Sequence, residues 1–202
     1  MTTTGSWTDL PTLDGSLIRL EPLREEHAAG YLAAAGTGED AEQVFRWLAL
    51  YPPTTVEEAL QQVRAGIDSP IRYPFVQLDA GTGEVAGTTS FYEISPETKS
   101  LAIGHTWLGT RWWRSGHNTE SKLLLLTYAF DVLGTARVVW HTDIYNERSQ
   151  AAIVRLGATR EGVLRKHRIR RDGSWRDTVQ YSMTDDDWPQ VRARLTTRLA
   201  TG

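Results

Sequence analysis

Residues 107–133 read WLGTRWWRSGHNTESKLLLLTYAFDVL, and three parts of this stretch decide the fold. A strand-like run ends at Trp107 and Leu108. A turn of polar and small residues follows, Arg114-Ser115-Gly116-His117-Asn118-Thr119. A long helical segment then carries Leu123, Leu124, Leu126, Ala129, Phe130 and Leu133 on one broad apolar face. Strand, glycine-bearing turn and helix start together present unpaired backbone N–H groups and a positive dipole end to an anion. Asn118 is the expected N-cap, and Gly116 lets the backbone approach a ligand closely. The stretch therefore reads as a phosphate or pyrophosphate cradle. A helix start that merely contains a glycine would show the same pattern.

Upstream, residues 1–12 read as a flexible tail, and 17–20 as a strand. Helical spacing of Leu23, His27, Tyr31 and Leu32 predicts a helix over 24–35, and Val44, Phe45, Trp47 and Leu48 a second over about 40–50. Thr54 or Thr55 caps a third, with Glu57 and Glu58 in its first turn. A meander of strands over 72–79, 84–94 and 99–108 leads into the quoted stretch. Gly81, Gly83 and Gly87 lie in a hairpin there, at the wrong spacing for a dinucleotide motif. Downstream, Gly134 stops the long helix and 136–143 is a strand. Asn146 caps a helix that ends at Gly157. Strands over 159–171 and 175–184 form a hairpin, and a final helix starts near Asp185-Asp186-Asp187. The pattern predicts one mixed α/β domain over 13–202.

Composition narrows the function. The 202 residues include no Cys, which excludes disulfides, thiolate catalysis and Cys-based metal sites. The five His show no metal-ligand spacing, so no metal is expected. No apolar run approaches the ~18–20 residues that span a bilayer, and residues 1–15 lack a secretory pattern. A cytoplasmic protein without a membrane partner is expected. The net charge of −3 divides into −9 over residues 1–100 and +6 over 101–202, so the cradle lies in the basic half.

The order of elements and four short motifs resemble the GNAT superfamily of acetyl-CoA-dependent N-acyltransferases, in particular its RimJ/RimL-like branch of ribosomal-protein-alanine acetyltransferases. The motifs are Ile103-Gly104-x-x-Trp107-Leu108, Gly116-x-Asn118-Thr119-Glu120, Asn146-x-x-Ser149 and Leu156-Gly157-Ala158-x-x-Glu161-Gly162, and the resemblance covers residues 14–188. It implies a central, mostly antiparallel sheet, splayed in the middle and flanked by helices. It implies acetyl-CoA as co-substrate, with its pyrophosphate on residues 114–119, that is Arg114, Ser115, Gly116, His117, Asn118 and Thr119. Trp107 and Leu108 match the strand whose backbone pairs with the pantetheine arm, and Asn146 a residue that contacts that arm. In the cradle motif Trp113 and Asn118 depart from the family's usual Gln/Arg and small residue.

Acyl transfer from a thioester to an amine needs a neutral amine, a polarised carbonyl and a proton for the departing thiolate. Amine pKa values of about 8 to 10.4 make deprotonation only moderately uphill, so a weak base suffices. A strand N–H can hold the developing oxyanion. Ser149 matches the serine that protonates sulfur in the related motif, though a serine in a helix's first turn is also common for structural reasons; Tyr145 is a second hydroxyl nearby. The family's usual Glu is replaced by Ala102 on the strand and by Arg168 further on. His105 and Glu93 are then the candidates for the base, each also readable as an ordinary strand residue. The expected activity is direct transfer of acetyl to a primary amine on a small molecule, peptide or protein N-terminus. Two rivals are a non-catalytic acyl-CoA-binding module and a ribosome- or RNA-associated protein using the basic segment 160–176, which holds seven Arg and Lys. Nucleic acid is disfavoured, because that segment reads better as a solvated hairpin or a pocket rim. Trp112 and Trp113 fit adenine stacking, core packing or a homodimer interface.

Overall fold

Runs of β-branched and aromatic residues between glycine and proline turns give eight strands in one sheet. The computed structural model describes residues 6–201. The strands are β1 (Leu13–Asp14), β2 (Ile18–Pro22), β3 (Arg72–Asp79), β4 (Val85–Ser95), β5 (Ser100–Leu108), β6 (Arg137–Asp143), β7 (Thr159–Ile169) and β8 (Trp175–Thr184). Their spatial order is β1-β2-β3-β4-β5-β6-β8-β7, and only β5 and β6 run parallel. That pair is joined at Ser100, Leu101 and Ala102 against Arg137, Val138 and Val139. Beyond these residues the two strands part, β5 running on to Leu108 and β6 to Asp143. The sheet is therefore mostly antiparallel and splayed in its middle, as the motifs imply.

The helices are α1 (Ala28–Ala35), α2 (Gly38–Phe45), α3 (Val56–Ile67), α4 (His117–Thr127), α5 (Glu147–Leu156) and α6 (Trp188–Thr201). A π-helical turn, Tyr128–Val132, extends α4. Adjacent strand residues point to opposite faces. Trp107 stacks edge-on with Tyr31 of α1, ring centroids 4.8 Å apart, while its neighbour Thr106 meets Lys122 of α4 at 3.0 Å. Helices α1 and α4 thus cover opposite faces. Apolar side chains such as Phe75, Phe91, Leu101, Ile103, Leu125 and Met183 are fully buried between the layers. Among the described residues no helix is long and apolar enough to cross a membrane.

Several sequence expectations shift. The cap of α4 is Gly116, at φ +86°, not Asn118, which lies inside the first turn. A Cβ at Gly116 would also lie 2.8 Å from Leu17 Cδ1. The most buried leucines of α4 are Leu125 and Leu126, with Leu123 and Leu124 half-buried, because Glu120, Ser121 and Lys122 are buried too. The second helix stops at Phe45. Trp7 and Leu10 pack against the core, so residues 6–12 are not a loose tail; residues 1–5 of that segment lie outside the described residues.

Candidate active site

The cradle begins where β5 ends. Gly109 leads into a short turn, Thr110–Trp112, and Arg114 and Gly116 both take positive φ, +61° and +86°. Two reversals in three residues turn the chain into α4. Among the described residues, the backbone N–H groups of residues 114–119 donate to no protein acceptor; the first that does is Glu120 N–H, to Gly116 O at 3.0 Å. These orphan donors lie at the positive end of α4, where an anion would find free N–H groups and a favourable dipole. Asp79 at the end of β3 braces it, accepting from Trp112 Nε1 at 3.2 Å and pairing with His117 Nε2 at 2.9 Å. Burial opposes ionisation of Asp79. The His117, Thr82 and Trp112 hydrogen bonds outweigh it and hold the carboxyl well below the usual range. Ser115 Oγ donates to Trp112 O at 2.6 Å and meets His117 Nδ1 at 2.8 Å. Ser115 and His117 therefore offer backbone only. Arg114, Asn118 and Thr119 keep side chains at the surface or half-buried.

Across the splay, β6 ends in the turn to α5. Asn146 Oδ1 accepts from Ser149 N at 3.0 Å, so Asn146 caps the helix through its carbonyl oxygen. Ser149 spends only its N–H on this cap; its hydroxyl has no protein partner among the described residues. Arg148, one position earlier, lies 4.0 Å over the Trp113 ring. This contact joins the cradle to the start of α5, so the two sequence-predicted clusters meet at the slit between β5 and β6. The Trp107 and Leu108 side chains are buried, and the Trp107 carbonyl accepts from Gln77 Nε2 at 3.1 Å. Trp112 is buried, and Trp113 Nε1 donates to Leu108 O at 2.8 Å, so both tryptophans pack within the chain.

On the α1 face, β4 and β5 each break register, with Glu93 at φ +49° and His105 at φ +50°. Bulges re-aim side chains at sites of this kind. The Tyr92 ring crosses β5 above Gly104, where a Cβ would sit 2.7 Å from its Cε1. It reaches His141 on β6, Oη to Nδ1 3.0 Å. Donor roles follow from the network. Gln180 Nε2 donates to Glu161 Oε2 at 2.9 Å, so Gln180 Oε1 accepts from His141 Nε2 at 3.2 Å. His141 Nδ1 is then the acceptor and Tyr92 Oη the donor. Burial lowers the proton affinity of His141, keeping its imidazole neutral; Glu93, at 3.7 Å, opposes that shift. An incoming amine proton can pass to Tyr92 Oη as the hydroxyl proton moves to His141.

The two predicted base candidates fare differently. His105 is exposed at the cleft mouth, yet the dense protein around it still desolvates its charged form. With Arg72, Arg168 and Arg176 nearby, its pKa is pushed down to about 4, far from the neutral range expected of a histidine base. Glu93 is paired with Arg168 at 3.3 Å and lies beside His141. The basic segment 160–176 folds back on the chain: Arg168 on Glu93, Arg170 on Asp143 at 2.7 Å, Arg171 on Glu42 at 3.1 Å. Through the Arg168–Glu93 pair it lies beside His141. Sequence reading missed Tyr92 and His141, which lie 49 positions apart and meet only through the sheet. The glycine in Ile103-Gly104 was the one signal, since it marks where a ring can cross. Among the described residues no group of three or more His, Cys, Asp and Glu is placed to hold a metal.

Comparison with known proteins gives a consistent answer. A family model described as an acetyltransferase (GNAT) domain matches residues 18–159. A GCN5-related N-acetyltransferase from Brucella melitensis superposes with a TM-score of 0.89 at 33% identity, covering 94% of this chain and 85% of that one. An uncharacterized N-acetyltransferase of Bacillus subtilis, YoaA, is 28% identical over 180 residues, 86% of this chain and 96% of its own. Mycobacterium smegmatis RimJ in complex with CoA-disulfide shares the fold, with a TM-score of 0.75 at 21% identity over 96% of each chain.

Proposed function

The chain belongs to the GNAT family of acetyltransferases, and from that premise we propose that it passes acetyl from acetyl-CoA directly to a primary amine held in the Tyr92–His141 cleft. The acceptor is an amine of a small molecule, a peptide or a protein N-terminus. The observation that carries this reading is the slit opened where β5 and β6 part. The orphan N–H groups of 114–119 follow the end of β5, Arg148 over Trp113 ties them to the start of α5, and Tyr92 crosses β5 at Gly104, which supports the reading.

The residues divide the work. Backbone N–H groups of residues 114–119 bind pyrophosphate oxygens, with Arg114 and Arg148 adding charge. Trp107 and Leu108 offer backbone to the pantetheine arm, and Asn146 its amide NH2, since its oxygen is occupied by the cap. The acceptor nitrogen forms its bond to the thioester carbonyl carbon, and an edge N–H of β5 takes the developing negative charge. The nitrogen's proton leaves through Tyr92 to His141, with Glu93 steadying the imidazolium. The carbon–sulfur bond breaks, and the sulfur takes a proton from the Ser149 hydroxyl as solvent water reprotonates that hydroxyl, while the amine proton held by His141 returns to solvent. His105, held neutral, lines the cleft.

An amine panel scored by CoA thiol release, with product confirmed by mass spectrometry, tests the transfer. Tyr92→Phe tests the relay, because it keeps the ring over Gly104 and removes only the hydroxyl. The expected result is a fall in kcat/KM within the ~10²–10⁴-fold range of acid–base catalysis, with acetyl-CoA affinity retained. Wild-type kcat/KM in this variant removes the relay from the mechanism.

A further inference from the structure

The acceptor cleft holds more positive charge than its own carboxylates can answer. Arg170 takes both oxygens of Asp143, at 2.7 and 3.1 Å. Arg168 takes Glu93. Arg176 is left 3.9 Å from Asp143, its Nε is buried with no hydrogen-bond partner, and only 18% of its side chain is exposed. Arg72, largely buried between α3 and β4, donates Nε to Ser90 Oγ at 2.8 Å. Among the described residues it has no carboxylate within ion-pairing distance. Arg176 thus shares Asp143 with Arg170, and Arg72 has no such partner among the described residues; burying guanidinium groups short of counter-charge is costly.

We propose that the acceptor amine itself bears a carboxylate, which Arg176 and Arg72 recognise. Their placement supports this. Arg72 lies opposite Tyr92 in the β3–β4 register, and Arg176 opposite Arg168 in the β7–β8 register. Both lie near enough to His105 to depress its proton affinity. In the strand order, Tyr92 on β4 and His105 on β5 lie between Arg72 on β3 and Arg176 on β8. The phosphates of acetyl-CoA do not reach this charge, because their cradle is at the far end of β5, beyond Leu108. A planar guanidinium grips a planar carboxylate through two parallel hydrogen bonds; the Arg176 Nε faces Asp143, and its terminal NH2 groups, which donate to no acceptor among the described residues, are the edge that serves that geometry. The inference rests on the acetyl-transfer reading of the cleft and names the chemistry of its acceptor: a free amino acid, or a peptide whose first residues carry a carboxylate.

Matched acceptors test it. One pair is a free α-amino acid and its α-amide. The other is a peptide with an N-terminal Asp or Glu and its Asn or Gln counterpart. With acetyl-CoA saturating, kcat/KM for the carboxylate member is expected to exceed that of its neutral partner by about ten- to hundredfold, the scale of a charge-assisted hydrogen bond. The pair that shows the larger ratio identifies the source of the carboxylate. Arg176→Met with Arg72→Met should collapse the ratio toward one, through KM, with acetyl-CoA affinity as the control for folding. Calorimetric binding of glutarate gives a second readout that needs no turnover. If no amine is acetylated yet glutarate binds wild type and not the double variant, the transfer reading fails and the anion site stands. If amines are acetylated with equal efficiency whether or not they carry a carboxylate, the transfer reading stands and this inference falls. Absence of both preference and glutarate binding also overturns it.

Discussion

Ser149 is a first-turn serine that leaves its hydroxyl out of the cap. Removing that hydroxyl should therefore spare the helix, since Asn146 still receives the residue-149 N–H and Ala is a good helix former. Ser149→Ala is expected to lower kcat and kcat/KM together by ~10²–10⁴-fold, with an unchanged melting temperature. Steady-state kinetics beside a thermal melt decides this, and wild-type kcat would move the acid to Tyr145. Lys122 poses a different question. It is 4% exposed, its Nζ donates to Thr89 and Thr106 at 3.1 and 3.0 Å, and burial pushes its pKa down to about 7. From pH 7 to the ordinary lysine value near 10.5, the unfolded chain holds more protons than the folded one. Stability thus rises with pH across that window, and the penalty stands in full below it. Lys122→Met removes a cost on the order of a few kcal/mol, while Thr89 and Thr106 still bond each other at 2.8 Å. The variant should melt higher than wild type at pH 6, with the gain shrinking towards pH 10. A gain independent of pH would show that Lys122 is not the cause.

At the scale of elements, the start of α4 separates stability from binding. Thr119 is the third residue of the helix, where an added carboxylate favours the dipole and opposes a bound phosphate. Thr119→Asp should keep or raise the melting temperature and weaken acetyl-CoA binding by about ten- to hundredfold, the range set by a close like-charge contact at the surface. Calorimetry showing unchanged affinity would take the phosphate off this helix. Gly104→Ala acts on the neighbouring strand. Its methyl would push the Tyr92 ring off β5, so activity should fall well before the fold does. Near-wild-type turnover would mean that the crossing is not needed. The strands were the most legible elements: alternation bounded by glycine and proline placed β3 and β8 to the residue. The bulges at Glu93 and His105 were not, because a bulge is a mismatch between two strands and neither sequence contains it alone. The cap of α4 was misplaced by two residues, since the reversal is shared between Arg114 and Gly116. Lys122 sits at a spacing that reads as a solvated face, and only the threonines of β4 and β5 make its burial tolerable.

For the whole molecule, the charge asymmetry seen along the sequence becomes a local property of the cleft. Three of the arginines of 160–176, Arg168, Arg170 and Arg171, are bound to Glu93, Asp143 and Glu42, two of these contributed by the acidic half. RNA binding is accordingly expected to stay within the non-specific range of about 10⁻⁴–10⁻⁶ M and to fade with salt. A salt-resistant, sequence-selective complex in a gel-shift titration would contradict this. The cradle also draws the two ends of the described chain together. Glu120, just inside α4, accepts backbone N–H groups from Ser16, Leu17 and Ile18 at 2.9, 2.6 and 2.9 Å. Leu17 and Leu199 flank Gly116 from either side. Leu17 precedes Gly116 in the chain and Leu199 belongs to α6, so the second of these partners is missing until α6 folds onto α4. The cradle is therefore expected to take its shape only once α6 has packed. A polypeptide that stops at Asp187 should carry every residue of the slit and still be a poor enzyme.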